Sequence, residues 1–288
     1  MIGLMTEPAQ ARDPGVLVLA ATPIGRSDDA SPRLGAELSG ADVVAAEDTR
    51  RLRRLATELG IEIPGRVVSY FEGNEHIRTE SLLESLRKGD RVVLVTDAGM
   101  PSVSDPGFRL VAAAVERGVT VTSIPGPSAV LTALAVSGLP VDRFCFEGFL
   151  PRKPGERARR LHALEQEQRT LVFFEAPHRT RATLQTMTEV LGGERRGAVC
   201  RELTKTHEEV RRGPLADLVT WAQSGVRGEV TIVLEGAPVP DAVTDPELLA
   251  ALVAEEEELG ATRKEAILDV ARRSGVPKRV VYDAVHRP

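Results

Sequence analysis

Short runs of β-branched and other apolar residues alternate along the chain with stretches whose apolar positions recur at helical spacing. The runs Val16 to Ala21, Asp42 to Ala46, Arg66 to Ser69, Arg91 to Thr96 and Thr120 to Ile124 predict strands. Arg50 to Leu59, His76 to Lys88 and Phe108 to Arg117 predict helices between them. Two of these helices stop just before Gly60 and Gly118, where glycine accepts the left-handed conformation that ends a helix. Strand, helix and strand in this order predict a mostly parallel sheet.

After the apolar stretch Ala129 to Val136, Gly138 and Pro140 introduce a second set of strand-like runs. These are Arg143 to Glu147, Thr170 to Phe174, Ala198 to Arg201, Glu209 to Arg212 and Glu229 to Leu234, which predict a second α/β domain. Prolines 238, 240 and 246 mark a linker from Ala237 to Asp245, and three short helices are expected beyond it. Asp245 is placed to cap the first with Pro246 at its opening position, and Thr262 with Glu265 forms a capping-box pattern for the second. Gly275 and Pro277 punctuate the turn into the third, a helix-turn-helix rhythm. The expected division is a disordered tail over 1–14, α/β domains over 15–138 and 139–237, and a linker with a small helical domain over 238–288.

Composition sets the class without changing that picture. The chain has 288 residues, 42% of them apolar and 27% charged, which suits a soluble globular protein of two domains and an appendage. The formal net charge of −5 means that binding to nucleic acid must come from local basic patches. One such patch is the segment Pro151 to Arg160, with five Lys or Arg against one Glu. Cys145 and Cys200 lie 55 residues apart with no metal-like spacing, so no metal site and a reducing, cytoplasmic compartment are expected. The opening residues lack the basic start and apolar run of a signal peptide, and no stretch is apolar enough to span a membrane.

In open α/β sheets the ligand site lies beyond the carboxyl ends of the strands. Here those ends read TPIG at 22–25, EDTR at 47–50, DAGMPSVSDPG at 97–107 and IPGPSA at 124–129. Glycine and proline there let backbone groups approach a ligand closely. GxGxxG and GxxxxGK[ST] are both absent, which argues against a dinucleotide dehydrogenase and a P-loop NTPase. A ligand held by backbone groups and small side chains is the better match.

Together with EGFLPRK at 147–153, FFEAPHR at 173–179 and RELTKTHEE at 201–209, this ordered set resembles the ribosomal RNA small subunit methyltransferase I family, within the tetrapyrrole-methylase superfamily. The resemblance runs from Val16 to Gly236. It departs at TPIGRSDD, where members of that family tend to have an Asn-Leu pair after the glycine. It implies a homodimer of two-domain α/β (class III) methyltransferases that use S-adenosylmethionine to 2′-O-methylate a cytidine in the decoding region of 16S rRNA. By matched motif it implies cofactor contacts from Pro23, Met100, Val103, Ser128 and Ala129 in the first domain. In the second it implies Glu175, Ala176, Leu203, Thr204 and Gly228.

A ribose hydroxyl needs a base to take its proton, and the candidates near strand ends are Glu47, Asp48, Asp105, Glu175, Glu202 and Lys205. Burial beside a sulfonium would favour a neutral Lys205, while a nearby carboxylate would oppose that shift. For phosphate, the forked donors of Arg50, Arg51, Arg152, Arg157 and Arg179 stand out, with Lys153 beside them. His178 is placed either to meet RNA or to cap a helix beginning at Pro177. Two alternatives stay open at this point: a tetrapyrrole-precursor C-methyltransferase on the same fold, and a ligand sensor that binds nucleic acid through the helical tail without catalysis.

Overall fold

The structure is a computed structural model that describes residues 15–238 and 244–286. The expected disordered tail over 1–14 and the middle of the expected linker lie outside the described residues. The described chain forms two compact units, one made of residues up to 165 with 170–235 and the other of 166–169 with the residues from 236 onward.

The first unit contains two five-stranded sheets. The first is built from β1 (Val16–Ala20), β2 (Val43–Ala46), β3 (Arg66–Ser69), β4 (Arg91–Val95) and β5 (Thr120–Ile124). Its order is β3-β2-β4-β1-β5, and every pairing is parallel. Crossover helices connect the strands: α1 (Pro32–Gly40), α2 (Thr49–Leu59), α3 (Glu75–Arg87) and α4 (Phe108–Glu116). Successive strand residues point to opposite faces. Leu17 and Leu19 therefore join Leu82, Leu94 and Leu110 in one apolar layer, while Val18 and Ala20 join Leu34, Leu38 and Leu52 in the other. Two covered faces explain why β1 and β4 are nearly unbroken apolar runs.

The second sheet takes β6 (Phe144–Phe149), β7 (Thr170–Glu175), β8 (Arg196–Arg201), β9 (Glu209–Pro214) and β10 (Val230–Leu234) in the order β6-β7-β10-β8-β9. Its pairings are antiparallel apart from β6 with β7. The helices α6 (Pro154–His162), α7 (Thr180–Leu191) and α8 (Leu215–Trp221) belong to this half. The helix that follows the first sheet, α5 (Ala129–Ser137), buries Val130, Ala133 and Leu134 against Val172, Ala198 and Val233 of the second. That shared layer also takes in Ile24 from the loop after β1, so the carboxyl edge of the first sheet is fixed against the second half.

The second unit carries three helices, α9 (Pro246–Glu258), α10 (Arg263–Arg273) and α11 (Lys278–Val285), as the sequence predicts. They close over Leu249, Val253, Ile267, Val270 and Val281. Asp245 accepts from the Glu247 amide at 2.9 Å, and Thr262 with Glu265 forms a reciprocal capping box.

Candidate active site

The loops that leave the first sheet are locked to one another by short polar contacts. Thr22 and Gly99 exchange backbone hydrogen bonds, each of 3.0 Å, and the Thr22 hydroxyl donates to the Thr96 carbonyl at 3.0 Å. The Asp48 amide donates to the Asp97 carboxylate at 3.1 Å, and the Asp97 amide donates to Glu47 at 3.1 Å. Arg51, one turn into α2, reaches the other Asp97 oxygen at 3.3 Å.

Residues from the second half complete the wall. Glu202 accepts from the Glu229 amide at 2.9 Å and from Lys205 Nζ at 3.1 Å, while Lys205 also reaches the Glu229 carboxylate at 3.0 Å. Gly25 lets the first loop lie against this group, because a Cβ there would stand 2.4 Å from Thr204 Oγ1 and 2.7 Å from Lys205 Cγ. Ser102, Ser104, Glu202 and Thr204 all take positive φ, so both walls contain backbone held in a conformation that non-glycine residues rarely adopt.

These loops enclose a cleft with two adjoining compartments. One, of about 370 Å³, has largely apolar walls from Met100, Val103, Val130, Phe149 and Phe174, with Ser128, Ala129, Glu175 and Ala176 at its edges. The other, of about 390 Å³, is more polar; Pro23, Leu52 and Leu55 line it with Arg54, Glu58 and Lys205. Ile24, Glu47, Arg51, Asp97, Ala98 and Glu229 border both and form the septum between them.

The charge states differ sharply across this small space. Burial pushes the Asp105 carboxyl up to about 7, and Glu47, Asp97 and Glu229 push it the same way. Burial also raises Glu47, opposed by the Asp97 amide that it accepts. Asp48 is held well below the usual carboxylate range by the Arg50 side chain and the Arg50 amide. As the N-cap of α2, Asp48 is a fixed anion with little tendency to take a proton. At Lys205 burial favours the neutral form, but hydrogen bonds to Glu229 and Glu202 outweigh it and the ammonium is stabilised. Of the two opposing effects that the sequence leaves open at Lys205, the carboxylates prevail over burial.

Of the residues marked in the sequence, the fold brings Met100, Val103, Asp105, Ser128, Ala129, Glu175 and Ala176 to the apolar compartment. Pro23, Asp48 and Lys205 come to the polar one, and Glu47 and Arg51 to the septum. Leu203 is instead buried in the layer around α5, Thr204 accepts from the Arg26 amide at 3.3 Å, and Gly228 borders neither compartment. A Cβ at Gly228 would stand 2.2 Å from the Glu202 side chain, so this glycine permits the Glu202 to Glu229 contact.

Among the basic residues, Arg50, Arg152 and Lys153 are exposed, but Arg157 is not. It is 6% exposed and donates to Thr186 at 3.1 Å, which ties α6 to α7 and removes it from any RNA-facing surface. Arg179 is likewise turned inward, donating to the Leu150 carbonyl at 2.7 Å and lying 3.2 Å from the fully buried Glu175 carboxylate. Glu175 accepts at 2.5 Å from Thr183 and at 2.7 Å from the Ala176 amide, so its oxygens are occupied. Helix α7 begins at Thr180 with Arg179 at its N-cap, so His178 does not cap it. Asp97, Glu229 and Glu58 are lining carboxylates absent from the sequence candidates, as are the apolar Leu52, Leu55, Val130, Phe149 and Phe174, although Asp97 opens the DAGMPSVSDPG string and Glu229 follows Gly228.

With the geometry in place, comparison with known proteins is informative. A family described as Tetrapyrrole (Corrin/Porphyrin) Methylases matches residues 16–219. "Ribosomal RNA small subunit methyltransferase I" of Mycobacterium tuberculosis (strain CDC 1551 / Oshkosh) is 54% identical over 275 residues, 94% of each chain. The protein of that name from Bacillus subtilis (strain 168) is 41% identical over 280 residues, 95% of each chain. Among solved structures, the methyltransferase CobJ superposes with a TM-score of 0.59 at 22% identity, covering 77% of this chain and 94% of its own. Uroporphyrin-III C-methyltransferase from Thermus thermophilus, solved with S-adenyl homocysteine, gives 0.54 at 20% identity, covering 76% and 96%. At such identities these two structures establish the fold.

Proposed function

Since the chain belongs to the ribosomal RNA small subunit methyltransferase I family of the tetrapyrrole methylases, we propose that it catalyses S-adenosylmethionine-dependent 2′-O-methylation of a cytidine ribose in the decoding region of 16S rRNA. The observation that carries the chemistry is Asp105: a carboxyl raised to about 7, bordering the apolar compartment and within electrostatic reach of three carboxylates that form or border the septum. Near-full-length identity to relatives named for ribosomal RNA favours RNA over a tetrapyrrole as the acceptor.

The cleft suits the cofactor by its chemistry. Met100, Val103, Val130 and Phe174 offer apolar walls to an adenosyl group, and Glu47, Asp97 and Glu229 offer negative charge to a sulfonium. When bound, S-adenosylmethionine supplies an electrophilic methyl group. The chain must then hold the acceptor hydroxyl in line with it, and such alignment supplies roughly 7 to 11 kcal/mol in favourable cases. Asp105 takes the hydroxyl proton, since a base with pKa near the working pH is half-ionised there and still strong enough to accept. Lys205, Glu202 and Glu229 keep the second wall in place through their ion pairs. Arg50 and Arg51 at the start of α2 face phosphate, with Arg152 and Lys153 as a second exposed contact.

The functional particle is a homodimer acting where ribosomes are assembled, in the cytoplasm. Support for a second copy is the outer face of α4, where Phe108 and Val115 lie seven residues apart and are 76% and 61% exposed. Light scattering is expected to give a dimer for the natural chain and a monomer for Phe108→Glu; an unchanged mass would contradict this face. Among the described residues no helix is long and apolar enough to cross a membrane.

The test is direct. The protein is incubated with methyl-labelled S-adenosylmethionine and small ribosomal subunits, and the product is digested and mapped. The label is expected in a single 2′-O-methylcytidine; label on a base, or none in RNA, would refute the assignment.

A further inference from the structure

The polar compartment is left unassigned when the cofactor is placed in the apolar one. It is about 390 Å³, room for an unstacked nucleobase, with apolar surfaces from Pro23, Ile24, Leu52 and Leu55 that suit the faces of a planar ring. Its polar lining combines the carboxylates Glu47, Asp48, Glu58, Asp97 and Glu229 with the cations Arg51, Arg54 and Lys205. Five carboxylates against three cations leave the lining net negative, which disfavours a phosphate but tolerates a neutral base, while the exposed Arg50 beside it is left for the sugar-phosphate chain. Enzymes that work on a nucleotide within structured RNA commonly read it splayed out of its stack.

Within this compartment Glu47 is the group best placed to read the base. One of its oxygens accepts the Asp97 amide at 3.1 Å, and the other makes no hydrogen bond among the described residues. Asp48 binds Arg50 through both oxygens, and Glu58 and Glu229 are each paired with a cation, Arg54 and Lys205, whereas Glu47 is held by a backbone amide with no ion pair among the described residues. We propose that the polar compartment seats the unstacked base of the acceptor nucleotide and that the free oxygen of Glu47 accepts from its exocyclic amino group. This rests on the reading of the cleft as an RNA methyltransferase site and assigns Glu47 to specificity, leaving proton transfer to Asp105. A carboxylate oxygen accepts from the amino group of cytosine and repels the carbonyl that uracil carries at the same place.

The experiment compares kcat/KM on small ribosomal subunits carrying cytidine or uridine at the acceptor position, for the natural protein and for Glu47→Gln. The natural protein is expected to prefer cytidine by about tenfold or more, the worth of one correctly matched base edge. In Glu47→Gln the amide oxygen can keep the bond to the Asp97 amide and present its NH2 to the base, so the preference is expected to collapse or invert. Equal losses on both substrates, with the preference unchanged, would overturn the proposal. Leu55→Trp, which fills the compartment, gives an independent check: KM for the ribosomal subunit rises while S-adenosylhomocysteine affinity, measured by calorimetry, stays constant. Weakened S-adenosylhomocysteine binding with KM for the subunit unchanged would overturn it. Absence of any RNA methylation by the natural protein has a different signature, because it removes the underlying activity and not merely its base preference.

Discussion

Asp97 and Glu47 hold each other's loops: the Asp97 carboxylate accepts from the backbone next to Glu47, at Asp48, and Glu47 accepts from the Asp97 backbone, both at 3.1 Å. The bracket ties the ends of β2 and β4, adjacent strands of the first sheet, at the septum of the cleft. It joins the two strand ends in one hydrogen-bonded edge. Asp97 acts as a positioning residue, since its carboxylate fixes the Asp48 backbone and pairs with Arg51.

Asp97→Ala leaves the Asp48 amide without its acceptor and frees Arg51. Losing this half-buried acceptor costs about 1 to 2 kcal/mol, so kcat/KM for RNA methylation is expected to fall about tenfold. Asp97→Asn keeps an acceptor oxygen and is expected to recover part of the loss. Steady-state kinetics on both variants checks this; equal activity in the two would contradict a role for the hydrogen bond to the Asp48 amide, and full activity in Asp97→Asn would contradict a role for the Arg51 pairing.

Arg179 lies against the fully buried Glu175 carboxylate. Removing one partner of such a pair strands the other charge, which costs about 3 to 5 kcal/mol. Arg179→Met is therefore expected to lower stability by about that amount in urea unfolding followed by circular dichroism. A loss below about 1 kcal/mol would show that Thr183 and the Ala176 amide satisfy Glu175 without it.

Arg157 and Arg50 separate structural from RNA-facing arginines. Arg157→Ala is expected to lower the melting temperature without changing the salt dependence of RNA binding. Arg50→Ala is expected to do the reverse, making the log–log salt slope shallower by about 0.7 to 0.9 for one lost phosphate contact. Binding titrations between 50 and 200 mM salt, roughly the range over which such contacts are lost, distinguish the two.

How much of this was legible in the sequence follows from what each residue depends on. Strands such as Val16–Ala20 and Arg91–Val95 fall within their predicted apolar runs, because a strand covered on both faces must be apolar wherever it lies in the chain. The caps at Asp245 and Thr262 are legible for a similar reason, since each needs only neighbours a few residues away. The loops around the cleft are legible as unusual turns and, through the family motifs, as a cofactor site. The interior fates of Arg157 and Arg179 are not, because Thr186 and the Leu150 carbonyl are 29 residues distant from them. The ammonium of Lys205 depends on Glu229, and the bracket at Asp97 on a partner loop 49 residues away, neither of which local pattern encodes.

The base assignment gives the sharpest test. Asp105 is raised to about 7 by burial and by neighbouring carboxylates, so its ionised, proton-accepting form grows as pH rises through that value. Single-turnover methylation of small ribosomal subunits, measured from about pH 5.5 to 9, is therefore predicted to rise tenfold per pH unit below about 7 and then level off. Asp105→Asn is predicted to lose this limb and most of the rate, while Lys205→Arg, which keeps the cation, retains the limb. A flat profile for the natural protein, or an Asp105→Asn variant with the same limb and rate, would contradict the account.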